Sequence, residues 1–332
     1  MKSPEELLAE AEELESRGDE HGAIAAWREL AARRPDDPVA LCRFARLAIR
    51  LSEPDEAERA LRRAITVDPN LSEAYLVLGS LAQDKWDNEE AEHLLRQALS
   101  REKTKEGYSM LGVVLQRLGR NAEAEAAYRE AIAIDPEFDE AYYNLGVLLR
   151  HTDPPAAERL FSRALSIDPR CAPAHRELGR LLTKQGLLGE AEAHIRRAIE
   201  LEPDDMWAHI YLGNLLQRKG LNGEAETEFR WAQEAAPKVA LPLLCLANLQ
   251  ENQENWQGAR RLYERALELE PDDTTANLNF GRMLLQAGEP TAAKVLLRRA
   301  MLLNPSDQQA RALLDSLESA PPPITDTPRA DD

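Results

Sequence analysis

Arg176, Arg180 and Lys184 stand four residues apart, so a helix through them carries three cations on one face. Like charges at that spacing cost about 0.2–0.5 kcal/mol per pair, which points to an anion supplied from outside. A carboxylate or phosphate suits arginine's planar fork. Arg150, followed by His151, and Arg218 stand 34 residues before and after Lys184. Two other roles compete for these cations. Glu140, Glu177 or acids of neighbouring helices can neutralise them internally, and those in a last turn, Arg150, Lys184 and Arg218, oppose the negative end of a helix dipole.

Polar and aromatic residues flank the stripe. Asn144, Asn214, Asn248 and Asn279 each donate and accept, which suits gripping a peptide backbone whatever its side chains. Tyr143, Trp207 and Tyr211 offer rigid area either to a bound segment or to the protein's own packing. Nothing beside them forms a catalytic constellation: G-x-x-x-x-G-K, H-E-x-x-H and G-x-S-x-G are absent from the sequence. The six histidines do not cluster, and Cys42, Cys171 and Cys245 lie far apart without C-x-x-C spacing, so neither a disulfide framework nor a zinc site is expected. The expectation is a protein that is not an enzyme and uses no cofactor or metal.

The whole chain narrows the partners further. Its net charge of −18 disfavours nucleic acid and anionic membrane surfaces, leaving protein or peptide partners, a second copy of the chain included. No run approaches the roughly 18 apolar residues of a membrane span. The start, MKSPEELLAEAEELE, lacks a signal-peptide core, and the cysteine usage fits a reducing cytoplasm.

The elements that position these residues follow from a repeat. Alanine recurs at positions 23, 57, 91, 124, 157, 191, 225, 259 and 293, in steps of 33 or 34. A small residue keeps the same beat from Ala11 through Gly79, Gly112, Gly146 and Gly213 to Gly281, and proline does so from Pro35 to Pro305, broken only at Lys103. Between the markers, apolar residues fall at helical spacing, as in Tyr142, Leu145 and Leu149, then Ala157, Leu160, Phe161 and Ala164. Each unit therefore reads as a helical hairpin, with small residues where the helices cross and a proline closing the second helix.

Period, small-residue columns and closing proline together resemble the tetratricopeptide repeat. The resemblance implies an all-α solenoid wound as a right-handed superhelix, whose first helices line a concave groove. Its domain is expected over residues 1–319, with repeats at 4–37, 38–71, 72–104, 105–138, 139–171, 172–205, 206–239, 240–273 and 274–307 and a capping helix at 308–319. Residues 320–332 are expected to be a disordered tail. Two units are one residue short, near Lys103 and near Thr152-Asp153-Pro154-Pro155, and the second shortage predicts a tighter hairpin turn in the fifth repeat.

Taking the fifth, sixth, ninth, twelfth and thirteenth places of each first helix as lining gives ten bases and five acids, hence a groove of net +5. The function expected from it is an adaptor that holds an extended, acidic segment of another protein, with Tyr143, Asn144, Arg150, His151, Arg176, Arg180, Lys184, Tyr211, Asn214, Arg218, Asn248 and Asn279 in contact. A scaffold docking partners or its own copies through other surfaces is the alternative. The carboxylate clamp of heat-shock co-chaperones is not expected, because Leu244, Gln309 and Leu313 occupy three of its five places.

Overall fold

The computed structural model describes residues 2–319, and among them every regular element is a helix. The first helices are α1 (Pro4–Ser16), α3 (Pro38–Arg50), α5 (Ser72–Asp84), α7 (Lys105–Arg117), α9 (Asp139–Leu149), α11 (Ala172–Gln185), α13 (Met206–Arg218), α15 (Leu241–Asn252) and α17 (Thr274–Gln286). The second helices alternate with them: α2 (Glu20–Arg33), α4 (Pro54–Val67), α6 (Asn88–Arg101), α8 (Asn121–Ile134), α10 (Pro154–Ile167), α12 (Leu188–Leu201), α14 (Asn222–Ala235), α16 (Trp256–Leu269) and α18 (Pro290–Leu303), with α19 (Gln308–Ser319) last. The expected tail, 320–332, lies outside the described residues. The chain divides into two compact units, Met1–Ala174 and His175–Asp332, and the division falls within α11.

Each hairpin packs through its small-residue columns. The repeated alanines, Ala23 and Ala57 through Ala293, have no exposed surface, and the residue sixteen places after the first-helix glycine, or fifteen after Gly146 in the shortened repeat, fills the space above it. A Cβ added at Gly112 would lie 2.4 Å from Tyr128 Cε1, and one at Gly213 would lie 2.4 Å from Phe229 Cε1. Absence of a side chain thus sets the distance between the two helices.

Eight hairpins turn through one residue of positive φ: Gly18, Ser52, Trp86, Gly119, Gly186, Gly220, Glu254 and Gly288. The amide after it reaches back five residues, as Asp19 does to the Leu14 carbonyl at 3.0 Å, closing a Schellman-type end. The fifth hairpin has no such residue among those described. There the Asp153 amide bonds the Leu149 carbonyl at 2.8 Å, only four residues back, so the missing residue shortens the turn. Three of the eight turns place a side chain in a region that disfavours one by about 1–2 kcal/mol. Glu254→Gly therefore raises stability by about 0.5–1 kcal/mol, less than the full relief because glycine is freer when unfolded; an unchanged or lower urea midpoint refutes this.

Junctions between repeats are just as regular. At eight of them the amide of the fourth residue bonds the carbonyl of the first at 3.1–3.2 Å, for example Leu71 to Asp68 and Phe138 to Asp135. In several of these turns the proline carbonyl accepts from the following repeat. Arg63 bonds Pro35 (3.2 Å), Arg101 bonds Pro69 (2.6 Å), Tyr142 and Arg163 bond Pro136 (both 3.3 Å), His209 bonds Pro203 (3.1 Å) and Asn277 bonds Pro271 (3.1 Å). The exception is residues 102–104, where a three-residue link without proline or turn bond leads straight into α7, capped by the Thr104 hydroxyl (3.1 Å from the Gly107 amide).

Candidate interaction groove

The three-cation stripe is largely satisfied from within. Arg176 pairs with Asp205 at 2.6 Å, and Arg180 pairs with Glu177 at 3.0 Å. All four side chains are well covered, at 17%, 7%, 13% and 6% exposure respectively. Asp205 is held as well by the Trp207 and Ala208 amides, since it caps α13. Arg180 also lies 5.9 Å over the Tyr211 ring, which meets Trp207 at 6.2 Å. Lys184 is exposed. Arg176, Arg180 and Tyr211 are thus brought together, around protein acids.

Two last-turn arginines have a role that their position in sequence did not disclose. Arg117 donates to the Gln83 carbonyl at 3.0 Å and Arg218 to the Thr183 carbonyl, so each caps the first helix of the repeat before its own. Arg150 donates to His151 at 3.2 Å at the shortened fifth turn.

The asparagines do not act as one set. Asn144 belongs to a network in which its amide reaches Ser109 (3.3 Å) and Glu140 (3.5 Å), while Ser109 also bonds Glu140 (3.1 Å). Asn248 accepts from Asn252 at 3.2 Å, Asn214 is exposed and Asn279 half-buried. Tyr143 packs near Phe161, with ring centroids 6.0 Å apart.

Other polar residues are structural. Glu15, Gln116 and Glu251, at the twelfth place of their repeats, accept from Trp27 (3.3 Å), Tyr128 (3.3 Å) and Tyr263 (3.0 Å), always twelve residues on. Glu251 is thereby buried and also pairs with Arg282 at 3.2 Å. His209 stacks on Trp231 at 3.7 Å and bonds Glu228 at 2.6 Å, while His175 and His194 meet Nδ1 to Nδ1 at 2.9 Å. Burial and the adjacent His175 hold His194 below the ordinary histidine pKa. Burial pushes the Cys42 and Cys245 thiols up to about 12, which leaves them protonated and unreactive at neutral pH.

A groove of about 710 Å³ opens instead on the first helices of Met1–Ala174. Half-buried Ile49, Leu76, Val77 and Met110 give it apolar surface, from α3, α5 and α7. Its charged lining comprises Arg46 and Arg50 against Glu15, Glu73, Glu102 and Glu106, so the net positive groove expected from the count of bases is not what this lining carries. The count omitted the second place of the helices, where Glu73 and Glu106 stand, and the junctions, which contribute Glu102. Arg46 is taken up by Glu73 at 2.9 Å and Arg50 by Glu20 at 3.3 Å.

The sequence held a signal for this location. The fifth and sixth places read Leu76 and Val77 in one repeat and Ser109 and Met110 in the next, where the fifth repeat has Tyr143 and Asn144. Leu76, Val77 and Met110 stay half-buried at these places, whereas Ile210, Leu244 and Leu278 at the fifth place of later repeats are buried. The second signal is the irregular junction at Lys103, whose neighbours Glu102 and Thr104 line the groove.

Comparison with known proteins agrees with the architecture. Family models described as tetratricopeptide repeat match residues 42–106, 147–205 and 252–317, and one described as TPR repeat matches 112–150. Among curated proteins nothing matches this chain. The fold is similar to that in a human IFIT1 dimer with m7Gppp-AAAA, at 15% identity and a TM-score of 0.64, covering 92% of this chain and 78% of that one. It is similar to a tetratricopeptide repeat protein from Parabacteroides merdae, at 17% identity and a TM-score of 0.59, covering 74% and 98%. It is similar also to a chain of the APC/C hetero-tetramer Cut9-Hcn1, at 15% identity and a TM-score of 0.63; the match covers 89% of this chain but 59% of that one.

Proposed function

Because the chain belongs to the tetratricopeptide-repeat family, we propose that it is a non-enzymatic adaptor that holds an extended segment of a protein partner in the groove on α1, α3, α5 and α7. The observation that carries this reading is the groove itself: about 710 Å³ of space with apolar surface from three successive first helices and polar groups at its margins. A strand of peptide fits such a site because aliphatic floor supplies area while rim groups fix register. The exposed Arg46–Glu73 pair, at 58% and 41% exposure, costs little to open and can re-pair with a ligand. The expected preference for an acidic segment draws no support from Arg176 and Arg180, whose charge is matched by Asp205 and Glu177. Three free thiols fit a cytoplasmic setting.

The test is substitution of the floor. Leu76→Asp with Val77→Asp introduces two charges on a half-buried surface and is expected to lower affinity for the native partner at least tenfold, about 1.4 kcal/mol or more, with helicity kept. Calorimetry that finds binding unchanged, or circular dichroism that tracks the loss with unfolding, removes the groove from consideration.

A further inference from the structure

We infer that the segment taken by this groove is apolar with a lysine or arginine beside its aliphatic residues, the cation seating between Glu102 and Glu106. The inference rests on the groove being the binding site and adds the chemistry of what enters it. Four glutamates line the space against two arginines, and each arginine already has an acid beside it: Arg46 meets Glu73 at 2.9 Å and Arg50 meets Glu20 at 3.3 Å. Glu102 and Glu106 are not matched in the same way. Lys105, beside Glu106, turns to Asp135 at 2.6 Å and lies 4.9 Å over the Phe138 ring, leaving Glu106 at 3.9 Å. Among the described residues no lysine or arginine pairs with Glu102, and exposed Lys103 stands outside the lining. The α7 end of the groove is therefore an acidic rim beside Val77 and Met110.

The irregular junction is what puts the rim there. Elsewhere the link between repeats is a four-residue turn built on proline. At 102–104 one residue is missing, no turn forms, and Glu102 and Thr104 become groove wall. A partner cation at this rim gains charge-assisted hydrogen bonds from two carboxylates while its neighbouring aliphatic side chain covers Val77 and Met110. An acidic segment meets like charge at the same place.

Random twelve-residue peptides displayed on phage and selected on the full-length protein test this, with Val77→Asp and Glu102→Lys/Glu106→Lys as parallel baits. The expected result is enrichment of peptides with Lys or Arg next to Leu, Ile, Val or Met, which lose about tenfold in affinity on the lysine bait, weaken as salt rises, and do not bind Val77→Asp. The milder Glu102→Gln/Glu106→Gln bait, which keeps side-chain shape, shows the same direction with a smaller loss. Peptides that are acidic or uncharged yet lost on Val77→Asp overturn the cation seat and leave the groove standing. Peptides indifferent to Val77→Asp, or no enrichment on the wild-type protein, overturn the groove and the cation seat together.

Discussion

Reversing Arg176 and Arg180 to glutamate is expected to destabilise the unit His175–Asp332 by at least about 3–5 kcal/mol, the cost of leaving a covered charge without its partner. The replaced side chains would face Asp205 and Glu177, whose carboxylates are 7% and 6% exposed, so repulsion adds to the loss. Asp205 would also be a strained cap, because the same carboxylate holds the Trp207 and Ala208 amides at the start of α13. Urea unfolding followed by circular dichroism reads the effect as a lowered midpoint. A double variant with unchanged midpoint and helicity would show that these guanidinium groups are solvated and available to a partner, which would restore the acidic-segment reading.

Gly213→Val has an effect of similar size from a different cause. The first added carbon already falls 2.4 Å from the Phe229 ring, which has no exposed surface, and a β-branched residue adds two more methyl groups in the same gap. Overpacking of this kind costs about 1–3 kcal/mol where neighbours can shift; here the obstacle is a fully buried ring between helices, so about 3 kcal/mol or more is expected. The second repeat uses Ala45 with Leu61 at the equivalent places, both without exposed surface. Gly213→Ala with Phe229→Leu should accordingly recover most of the stability that Gly213→Val loses. Thermal melts of both variants decide the matter: equal melting temperatures for Gly213→Val and the parent would mean that the glycine does not set the helix spacing.

These two sites show what the sequence discloses and what it withholds. Gly213 and Phe229 are readable because a crossing between helices recurs every 34 residues, and repetition separates a packing requirement from accident. The shortened fifth turn is readable for the same reason, as a deletion against a fixed beat. Arg176 and Arg180 are not readable in this way. Their spacing shows that they share a face, but Asp205 lies 29 residues from Arg176, across a junction, and its distance depends on how one repeat is rotated against the next. The twelve-residue bonds of Trp27, Tyr128 and Tyr263 occur in only three hairpins, too few to stand out as a column, so Glu15 and Glu251 looked like groove acids. The groove on α3, α5 and α7 was signalled by aliphatic residues at Leu76, Val77 and Met110, yet charge counting over nine helices averaged that local pattern away.

The bonds to the proline carbonyls have a direction. In each of them the acceptor belongs to the earlier repeat and the donor to the later one, and the last acceptor, Pro305, is met by Arg311 of α19 at 2.8 Å. The arginine caps run the same way, from Arg117 back to Gln83 and from Arg218 back to Thr183. For a chain leaving the ribosome amino end first, the hairpins that carry these donors meet carbonyls already in place, whereas the pairs Arg46–Glu73 and Arg176–Asp205 wait for an acid still to come. An array stopped after one of these hairpins leaves its newest proline carbonyl to water until the next segment emerges.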